Sequence, residues 1–257
     1  MKPWLLLFAV PAVALAADPT NIAEDDASQS AYGSEWKADT NGGAGFGAWI
    51  LQTQSSGGDQ SHAGNFIATP ENNPDLNNVT INGKAFGFFA NGTGFEAVAA
   101  FRSLSKPLGV GESFSFQMEH GRIEKKFDTD DPGTGSIGIT LRNGNQSGAV
   151  DDYNKGARFE FGFYEGQDTY QVYDGQDDHD TKIPFTDLGL TIKLTLVTAD
   201  TYDLEVTSLG DKKTTKLSGR KLGGSAGGTL DSFCIFDRDG EKYDAFFNKF
   251  QVTKDKP

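Results

Sequence analysis

The chain has 257 residues, a formal net charge of −13 and a single cysteine, Cys234. A charge of this sign repels nucleic-acid phosphates and anionic membrane surfaces, so the composition argues against both as partners. One cysteine excludes an intrachain disulfide, and the apolar run around it (232–236) predicts a buried, unreactive thiol.

The first 16 residues predict a secretory signal peptide. Lys2 supplies a positive charge, residues 4–13 form a short apolar run, and 14–16 (ALA) form a small-x-small site with cleavage expected after Ala16. The apolar run is too short to cross a bilayer, and no later segment is apolar enough to do so. We therefore expect a secreted, extracellular protein without a transmembrane segment. Residues 17–30 are polar and are predicted to form a loosely held lead-in.

After the lead-in, apolar and polar side chains alternate residue by residue, which is the period of a half-buried β-strand. The clearest runs are 114–118, 137–141, 159–163, 190–196, 202–206 and 250–252. Each run has one apolar and one polar face, which predicts antiparallel sheets packed through their apolar faces. We predict an all-β fold, a two-sheet antiparallel β-sandwich of the jelly-roll type, as one domain over 31–253 with a short tail at 254–257. A lipocalin-like barrel is the alternative, and the long connections at 70–83 and 174–184 disfavour it.

Several glycine- and aromatic-rich segments resemble those of a known domain. They are 31–36 (AYGSEW), 41–49 (NGGAGFGAW), 83–91 (GKAFGFFAN), 108–116 (LGVGESFSF), 159–166 (FEFGFYEG) and 244–248 (DAFFN). Together they resemble a domain of exported proteins from environmental bacteria, many of which carry a C-terminal PEP-CTERM sorting tail. The resemblance implies a concanavalin-A-like sandwich and export, and it implies no reaction. This chain departs from those members because it ends at Lys256-Pro257 without such a tail.

Three loops rich in aspartate make Ca²⁺ the one candidate cofactor, in a structural role: 128–131, 174–180 and 237–244. Ca²⁺ takes six to eight oxygen ligands, and loops of this composition supply several from a short segment. The first choice is the loop that joins the last two strands, with Asp237, Asp239 and Asp244 as ligands. Asp25 would join them if the lead-in lies alongside the last strand. The alternative is ordinary turn chemistry, in which aspartate and glycine are also common.

Two glutamates on predicted polar strand faces, Glu119 and Glu160, are candidates for catalysis. Enzymes that cleave glycosidic bonds place two carboxyl groups on either side of the scissile bond. The chain has no Glu-x-Asp-x-x-Glu strand of the laminarinase type and no Gln-Ile-His strand of the alginate-lyase type. The three histidines, His62, His120 and His179, do not have the spacing of zinc ligands. For both glutamates, the alternative is an ordinary solvent-facing position on a strand.

Aromatic side chains are the candidates for carbohydrate binding, since sugars stack on exposed rings. Trp49 lies in an apolar run and is predicted to be a core residue, whereas Trp36 is flanked by charges and is predicted to be exposed. A predicted hairpin around 165–168 would present Tyr164, Tyr170 and Tyr173 at a binding edge. Arg158 is predicted to share a strand face with Glu160 and Tyr164. Ordinary cross-strand packing is the alternative for each of these residues.

Three functions remain open at this stage. The leading hypothesis is a non-catalytic extracellular module that binds a polysaccharide or another cell-surface component. The second is a polysaccharide-cleaving enzyme that uses Glu119 or Glu160, and it predicts both carboxylates on one concave face with aromatics beside them. The third is a structural matrix or surface protein that assembles with itself or with other envelope proteins.

Overall fold

The computed structural model describes residues 18–56, 62–91, 94–123, 135–144, 149–239 and 243–256, so the signal-peptide segment lies outside it. The described chain forms one short 3-10 helix, Val150–Asn154, and fifteen strands. These are β1 (Thr20–Asp25), β2 (Ile50–Ser55), β3 (Ala63–Ala68), β4 (Ala85–Ala90), β5 (Glu96–Ser103), β6 (Glu112–His120), β7 (Ser136–Arg142), β8 (Ala157–Tyr164), β9 (Thr169–Tyr173), β10 (Asp180–Pro184), β11 (Leu190–Thr198), β12 (Thr201–Ser208), β13 (Thr214–Lys221), β14 (Ser232–Arg238) and β15 (Ala245–Lys254). Within these ranges no helix is long and apolar enough to cross a membrane.

The strands form two antiparallel sheets. One has eight strands, in the order β13-β12-β11-β6-β15-β4-β3, and β1 adds to it by pairing with β15. The other has seven strands, in the order β10-β9-β8-β7-β14-β5-β2. The chain passes repeatedly from one sheet to the other, as in the succession β4, β5, β6 and β7. This architecture confirms the predicted two-sheet, antiparallel jelly-roll sandwich.

The alternating residues of both sheets meet in one apolar core, which is rich in phenylalanine. From β6 it receives Phe114, Phe116 and Met118, and from β8 it receives Phe159, Phe161 and Phe163. Trp49 is fully buried, as predicted, and its ring lies 5.6 Å from the rings of both Phe233 and Phe250. Aromatic pairs at this separation add to the stabilisation that burial alone provides.

The N-terminal lead-in is part of the sandwich, in contrast to the loose segment predicted for residues 17–30. Strand β1 pairs with the last strand, with Asp25 opposite Phe250. Asp25 forms an ion pair with Arg102, and neither side chain is exposed to solvent. The amide of Ala27 donates to Oδ1 of Asn248 at 3.1 Å. Polar composition misled the prediction because these polar groups are satisfied inside the protein and not by water.

The segment between β7 and β8 returns over the outer face of the seven-stranded sheet. Val150 and Tyr153 pack there in a cluster that contains Phe101 and Cys234. Cys234 is fully buried, as predicted, and burial raises the pKa of its thiol, which disfavours the reactive thiolate. The Tyr153 ring lies 4.5 Å from the ring of Phe236. Val150 and Tyr153 thus cover one half of the outer face of the seven-stranded sheet. The other half, on β8, β9 and β10, carries the candidate site.

Candidate functional site

The two candidate catalytic carboxylates lie in different sheets. Glu119 belongs to β6 of the eight-stranded sheet and Glu160 to β8 of the seven-stranded sheet. Each alternates with the core residues of its own strand, so the two side chains lie on opposite outer faces of the sandwich. Glu119 and Glu160 therefore cannot flank one scissile bond, and the predicted catalytic pair is wrong.

Glu119 has a structural role. Its carboxylate is 1% exposed and accepts the backbone N–H groups of Asn77, Asn78 and Val79 at 2.9, 2.8 and 3.1 Å. The connection between β3 and β4 thus lies across the outer face of the eight-stranded sheet at this point. A carboxylate that holds backbone amides in this way is not free to act on a substrate.

Two of the predicted stacking aromatics are core residues. Trp36 is 3% exposed, and its ring stacks on Phe88 with a centroid distance of 5.3 Å, which corrects the predicted exposure. Tyr170 is 1% exposed and stacks on Phe161 at 5.4 Å. Tyr170 points inward because it occupies the same phase of β9 as Val172, which is also in the core. Neither ring is available to a sugar.

Arg158 connects two loops, those that contain Asp200 and Gly223, by hydrogen bonds. Its guanidinium donates to the carbonyl of Gly223 at 2.9 Å and to Oδ1 of Asp200 at 2.6 Å, and the side chain is 2% exposed. Arg158 does not take the predicted place beside Glu160 and Tyr164, because it lies at a β-bulge. Leu141 pairs with Phe159 and Arg142 with Ala157, so Arg158 has no residue opposite it. Arg158 is therefore not available to a ligand on the outer face.

The four predicted calcium ligands do not form one site. Asp25 is occupied by Arg102, whose strand position is four residues from Val98, the partner of Asp237. The backbone positions of Arg102 and Val98 are about 13 Å apart along β5. Oδ1 of Asp239 accepts the backbone N–H of Glu96 at 2.8 Å. The predicted set is thus divided between two places in the sandwich.

Asp244 is engaged elsewhere. Its Oδ2 accepts a hydrogen bond from Asn73 at 3.2 Å, and burial, together with the charge of Asp75, raises its pKa to about 6. Among the residues that the structure describes, no three His, Cys, Asp or Glu side chains group as they would around a metal ion. The residues present do not fit the predicted calcium site. The aspartates at 128–131 and Glu241, also from the acidic loops, lie outside the described residues.

Three of the predicted residues do lie together, on the outer face of β8 and β9. The hydroxyl of Tyr164 donates to Oε1 of Glu160 at 2.5 Å, and the Tyr164 ring meets the Tyr173 ring edge-on at 5.1 Å. Tyr173 in turn lies 4.5 Å from the imidazole of His179 and is 42% exposed. We call the surface formed by Glu160, Tyr164, Gln171, Tyr173 and His179 the tyrosine face.

The floor of the tyrosine face depends on two glycines that pair across β7 and β8, Gly138 and Gly162. A Cβ atom on Gly138 would lie 3.0 Å from the Phe236 ring, and one on Gly162 would lie 3.4 Å from the Tyr164 ring. Without side chains at these positions, the Tyr164 ring lies against the sheet on the tyrosine face. The Phe236 ring also lies against the sheet, but it is fully buried beneath Tyr153.

Burial decides the electrostatics of the tyrosine face. Burial raises the pKa of Glu160 to about 6, and the hydrogen bond from Tyr164 and the charge of Arg238 oppose this rise only in part. Burial and the neighbouring Glu160 raise the pKa of Tyr164 well above its usual value. At neutral pH the site therefore contains a carboxylate beside a neutral phenol, and the carboxylate becomes protonated under mildly acidic conditions.

Sequence reasoning missed Gln171, Asp180 and His179 as neighbours of the tyrosines. Gln171 pairs with both Gly162 and Asp180, and the Tyr173–Glu160 pair lies in the next row. The alternation in β9 already places Gln171 and Tyr173 on one face, and this signal could have identified Gln171. His179 lies in the loop before β10, where no strand period applies.

We expect Glu160 to titrate near pH 6 in a carbon-detected NMR titration, and Tyr164→Phe to raise that pKa further because it removes a donor to the carboxylate. The folded-state pKa lies above the ordinary 4.5, so the folded state binds more protons than the unfolded state between these values. The contribution of Glu160 to the free energy of unfolding therefore increases as the pH falls through this window, by about 2 kcal/mol in all. Glu160→Gln should remove this part of the pH dependence. A Glu160 pKa that stays near 4.5 would contradict the expected burial effect.

No protein-family model matches the chain, and no curated protein matches it in sequence. Among solved structures it is similar to lectin II from Ulex europaeus, with 8% identity over 85% of this chain and 95% of that chain and a TM-score of 0.46. It is also similar to the carbohydrate recognition domain of Emp46p in its potassium-bound form, with 11% identity, coverage of 81% and 89%, and a TM-score of 0.43. A carbohydrate esterase from the Shiga toxin-encoding bacteriophage phi24B shares 11% identity, with coverage of 93% and 100% and a TM-score of 0.47. Likenesses at this level carry no argument about ligands, so the function proposed for this chain depends on its own side chains.

Proposed function

We propose that the chain is a secreted, non-catalytic carbohydrate-binding module and that the tyrosine face is its glycan-binding surface. The observation that carries this proposal is the 42% exposed ring of Tyr173, held between Tyr164 and His179. A ring that is fixed by its neighbours before binding loses little conformational entropy when a ligand stacks on it. Sugars present apolar C–H faces that match such a ring.

Polar groups around Tyr173 match the hydroxyl groups of a sugar. Glu160 lies directly opposite Tyr173 on β8, and Asp180 lies opposite Gln171 on β10. Neighbouring strands are about 5 Å apart, so these groups surround the ring at close range. Carboxylates accept hydrogen bonds from hydroxyls, and Oε1 of Gln171 also accepts, whereas its amide nitrogen donates to Thr169. An apolar platform with a few placed polar groups is the usual composition of a ligand site.

The charge of the surface favours neutral glycans. Glu160 lies on the tyrosine face, and the neighbouring 174–180 segment carries Asp177, Asp178 and Asp180. With a net charge of −13 on the whole chain, a polyanionic polysaccharide would be repelled. Neutral polysaccharides are therefore the proposed ligand class.

Binding is tested by affinity electrophoresis of the mature chain from Ala17 against a panel of neutral and anionic polysaccharides. We expect Tyr173→Ala to weaken binding about tenfold or more, since a stacked, centrally placed aromatic contributes at least about 1.4 kcal/mol. The matched control is Val197→Ala, because Val197 has a similar exposure of 44% and lies on β11 of the other sheet. Retardation that Tyr173→Ala does not change, or no retardation by any polysaccharide, would refute the proposal.

A polysaccharide-cleaving enzyme is the second candidate, and one observation favours it. Glu160 has a pKa of about 6, whereas hydrogen bonds from Lys182 and Thr169 lower the pKa of Asp180 to about 2. Two carboxyls whose pKa values are pushed apart are typical of an acid and a base in glycoside hydrolysis. Release of reducing sugar that is abolished by Glu160→Gln would establish this function. If the polysaccharide binds but no reducing sugar is released, the chain is a binding module and not an enzyme of this kind.

A further inference from the structure

We propose that a separate pocket at one end of the sandwich binds a single neutral sugar or a polyol of similar size. This end pocket has a volume of about 240 Å³, and the residues that define it here are Asp75, Asn77, His120, Arg122, Phe185 and Asp187. None of them belongs to the tyrosine face, so the proposal does not depend on the function proposed for that face. The volume is below the roughly 300–1,000 Å³ of pockets for drug-sized ligands, which suits one sugar ring better than a chain.

The inner wall of the end pocket is aromatic and fixed. His120 is 2% exposed, its Nδ1 lies 2.6 Å from the carbonyl of Gly121, and its Nε2 lies 3.2 Å from the hydroxyl of Tyr170. Burial lowers the pKa of His120 to about 4, so the imidazole is neutral at physiological pH. The Phe185 ring lies 5.7 Å from this imidazole. The two ring planes are inclined at 59° to each other, so they form an uncharged aromatic corner against which the apolar face of a sugar can pack.

A third aromatic ring, that of Tyr243, closes one side, and a glycine makes room for it. A Cβ atom on Gly121 would lie 2.1 Å from Cγ of Tyr243, so the Tyr243 ring packs directly on the backbone at the end of β6. Both residues line the pocket. No other amino acid at position 121 would leave this ring in place.

The rim of the end pocket provides donors and acceptors. Asp75 and Asp187 are exposed carboxylates, and Asn77 provides an exposed amide. Arg122 is held by an ion pair with Asp168 and stands 5.8 Å from the Phe185 ring. A sugar hydroxyl donates one hydrogen bond and accepts others, so it can use the carboxylates, the amide and the guanidinium together.

The Asn77 side of the rim is held in place before any ligand arrives. Glu119 accepts the backbone N–H groups of Asn77 and the two residues that follow it. The backbone beneath Asn77 is therefore fixed to the outer face of β6. A site whose wall is already ordered does not lose that entropy on binding. The buried Glu119 thus serves the pocket as a positioning residue.

The mixed charge of the rim favours a neutral ligand over an ionic one. Two carboxylates would repel an anion, and Arg122 stands over the aromatic ring that an organic cation would otherwise occupy. A neutral sugar carries no charge for the two carboxylates to repel, and its hydroxyl groups can donate hydrogen bonds to them. The ligand class is therefore a neutral monosaccharide, the terminal unit of a neutral glycan, or a polyol.

The test is an amide NMR titration of the mature chain with glucose, galactose, mannose, N-acetylglucosamine and, separately, glucosamine. We expect a neutral sugar to shift the amides of Asn77, Gly121 and Asp187 with a dissociation constant of about 1–10 mM, the range in which a single weak site still saturates. Asp187→Asn should weaken this binding about tenfold, because it removes a charged acceptor. Asp18→Asn, an equal change at an exposed aspartate far along the chain, should leave it unchanged.

Three results would overturn the proposal: no pocket amide shifts with any neutral sugar, Asp187→Asn binds as tightly as the parent, or glucosamine binds and neutral sugars do not. Tyr173→Ala separates the two sites, since it should weaken polysaccharide retardation without altering the pocket shifts. Loss of the pocket shifts in Tyr173→Ala would mean that the sugar had bound the tyrosine face, and this also contradicts the end pocket.

Discussion

Replacement of Asp25 with alanine is expected to lower the free energy of unfolding by about 3–5 kcal/mol, the usual cost of leaving one partner of a buried ion pair alone. Arg102 would keep a guanidinium with no exposed surface, still bonded through Nε to the carbonyl of Gly47 at 2.7 Å. The hydroxyl of Tyr32, which donates to Asp25, would lose its acceptor as well. The Arg102 guanidinium also stands 4.5 Å from the Trp49 ring, so the disturbance would reach the centre of the aromatic core.

Urea unfolding at pH 7 measures this effect. The matched control is Glu35→Ala, which breaks the ion pair between Glu35 and Lys37, whose side chains are 64% and 69% exposed. Exposed pairs contribute about 0–1 kcal/mol, so the control should be close to the parent protein. Equal losses in the two variants would show that burial does not decide the strength of the Asp25 pair.

Glu119→Ala is expected to destabilise the fold by about 3 kcal/mol, since three backbone N–H groups lose their shared acceptor. Of the three residues, Val79 is fully buried, so its amide has no access to solvent. Glu119→Gln keeps one acceptor oxygen and should cost about half as much or less. A loss that is the same for alanine and glutamine would contradict the role assigned to the carboxylate.

Hydrogen exchange gives a local measurement for the same variant. In Glu119→Ala, exchange of the 77–79 amides should be accelerated relative to the parent protein. Exchange of the amides of β11, a strand that pairs with β6, should be accelerated less. Glu160→Gln serves as the control, because it changes a glutamate on the opposite sheet and leaves the 77–79 segment untouched. Uniform acceleration across both sheets in Glu119→Ala would indicate global destabilisation only.

The fold was predictable because its signal repeats along the chain. Alternation in β6, β8 and β11 is a local property, and it determines which residues face the core whatever the strands pair with. Trp36 shows the limit of the same reasoning. Its neighbours Glu35 and Lys37 pair with each other in solvent while the indole ring between them reaches the core, and no local pattern marks such an irregular segment.

The candidate site was only partly predictable, because it depends on which strands become neighbours. Tyr164 and Tyr173 were identified from a hairpin, which is a short-range feature. Glu119 and Glu160 were paired on the assumption of a common face, and the order of strands in the sheets places them on opposite sides. Arg158 was lost to a bulge that shifts the register by one residue. Pairing over long sequence separations leaves no trace in residue periodicity.

The place of β15 has a consequence for how the molecule is made. This strand lies inside the eight-stranded sheet, with β6 on one edge and both β4 and β1 on the other. While the chain is synthesised from its N-terminus, the larger sheet cannot close until residues 245–254 have left the ribosome. Folding therefore waits for contacts between the two ends of the sequence, and such non-local pairing is slow, in the range of milliseconds to seconds or longer. Removal of β15 would take an internal strand out of the eight-stranded sheet. Residues 245–254 are therefore required for this sheet to form.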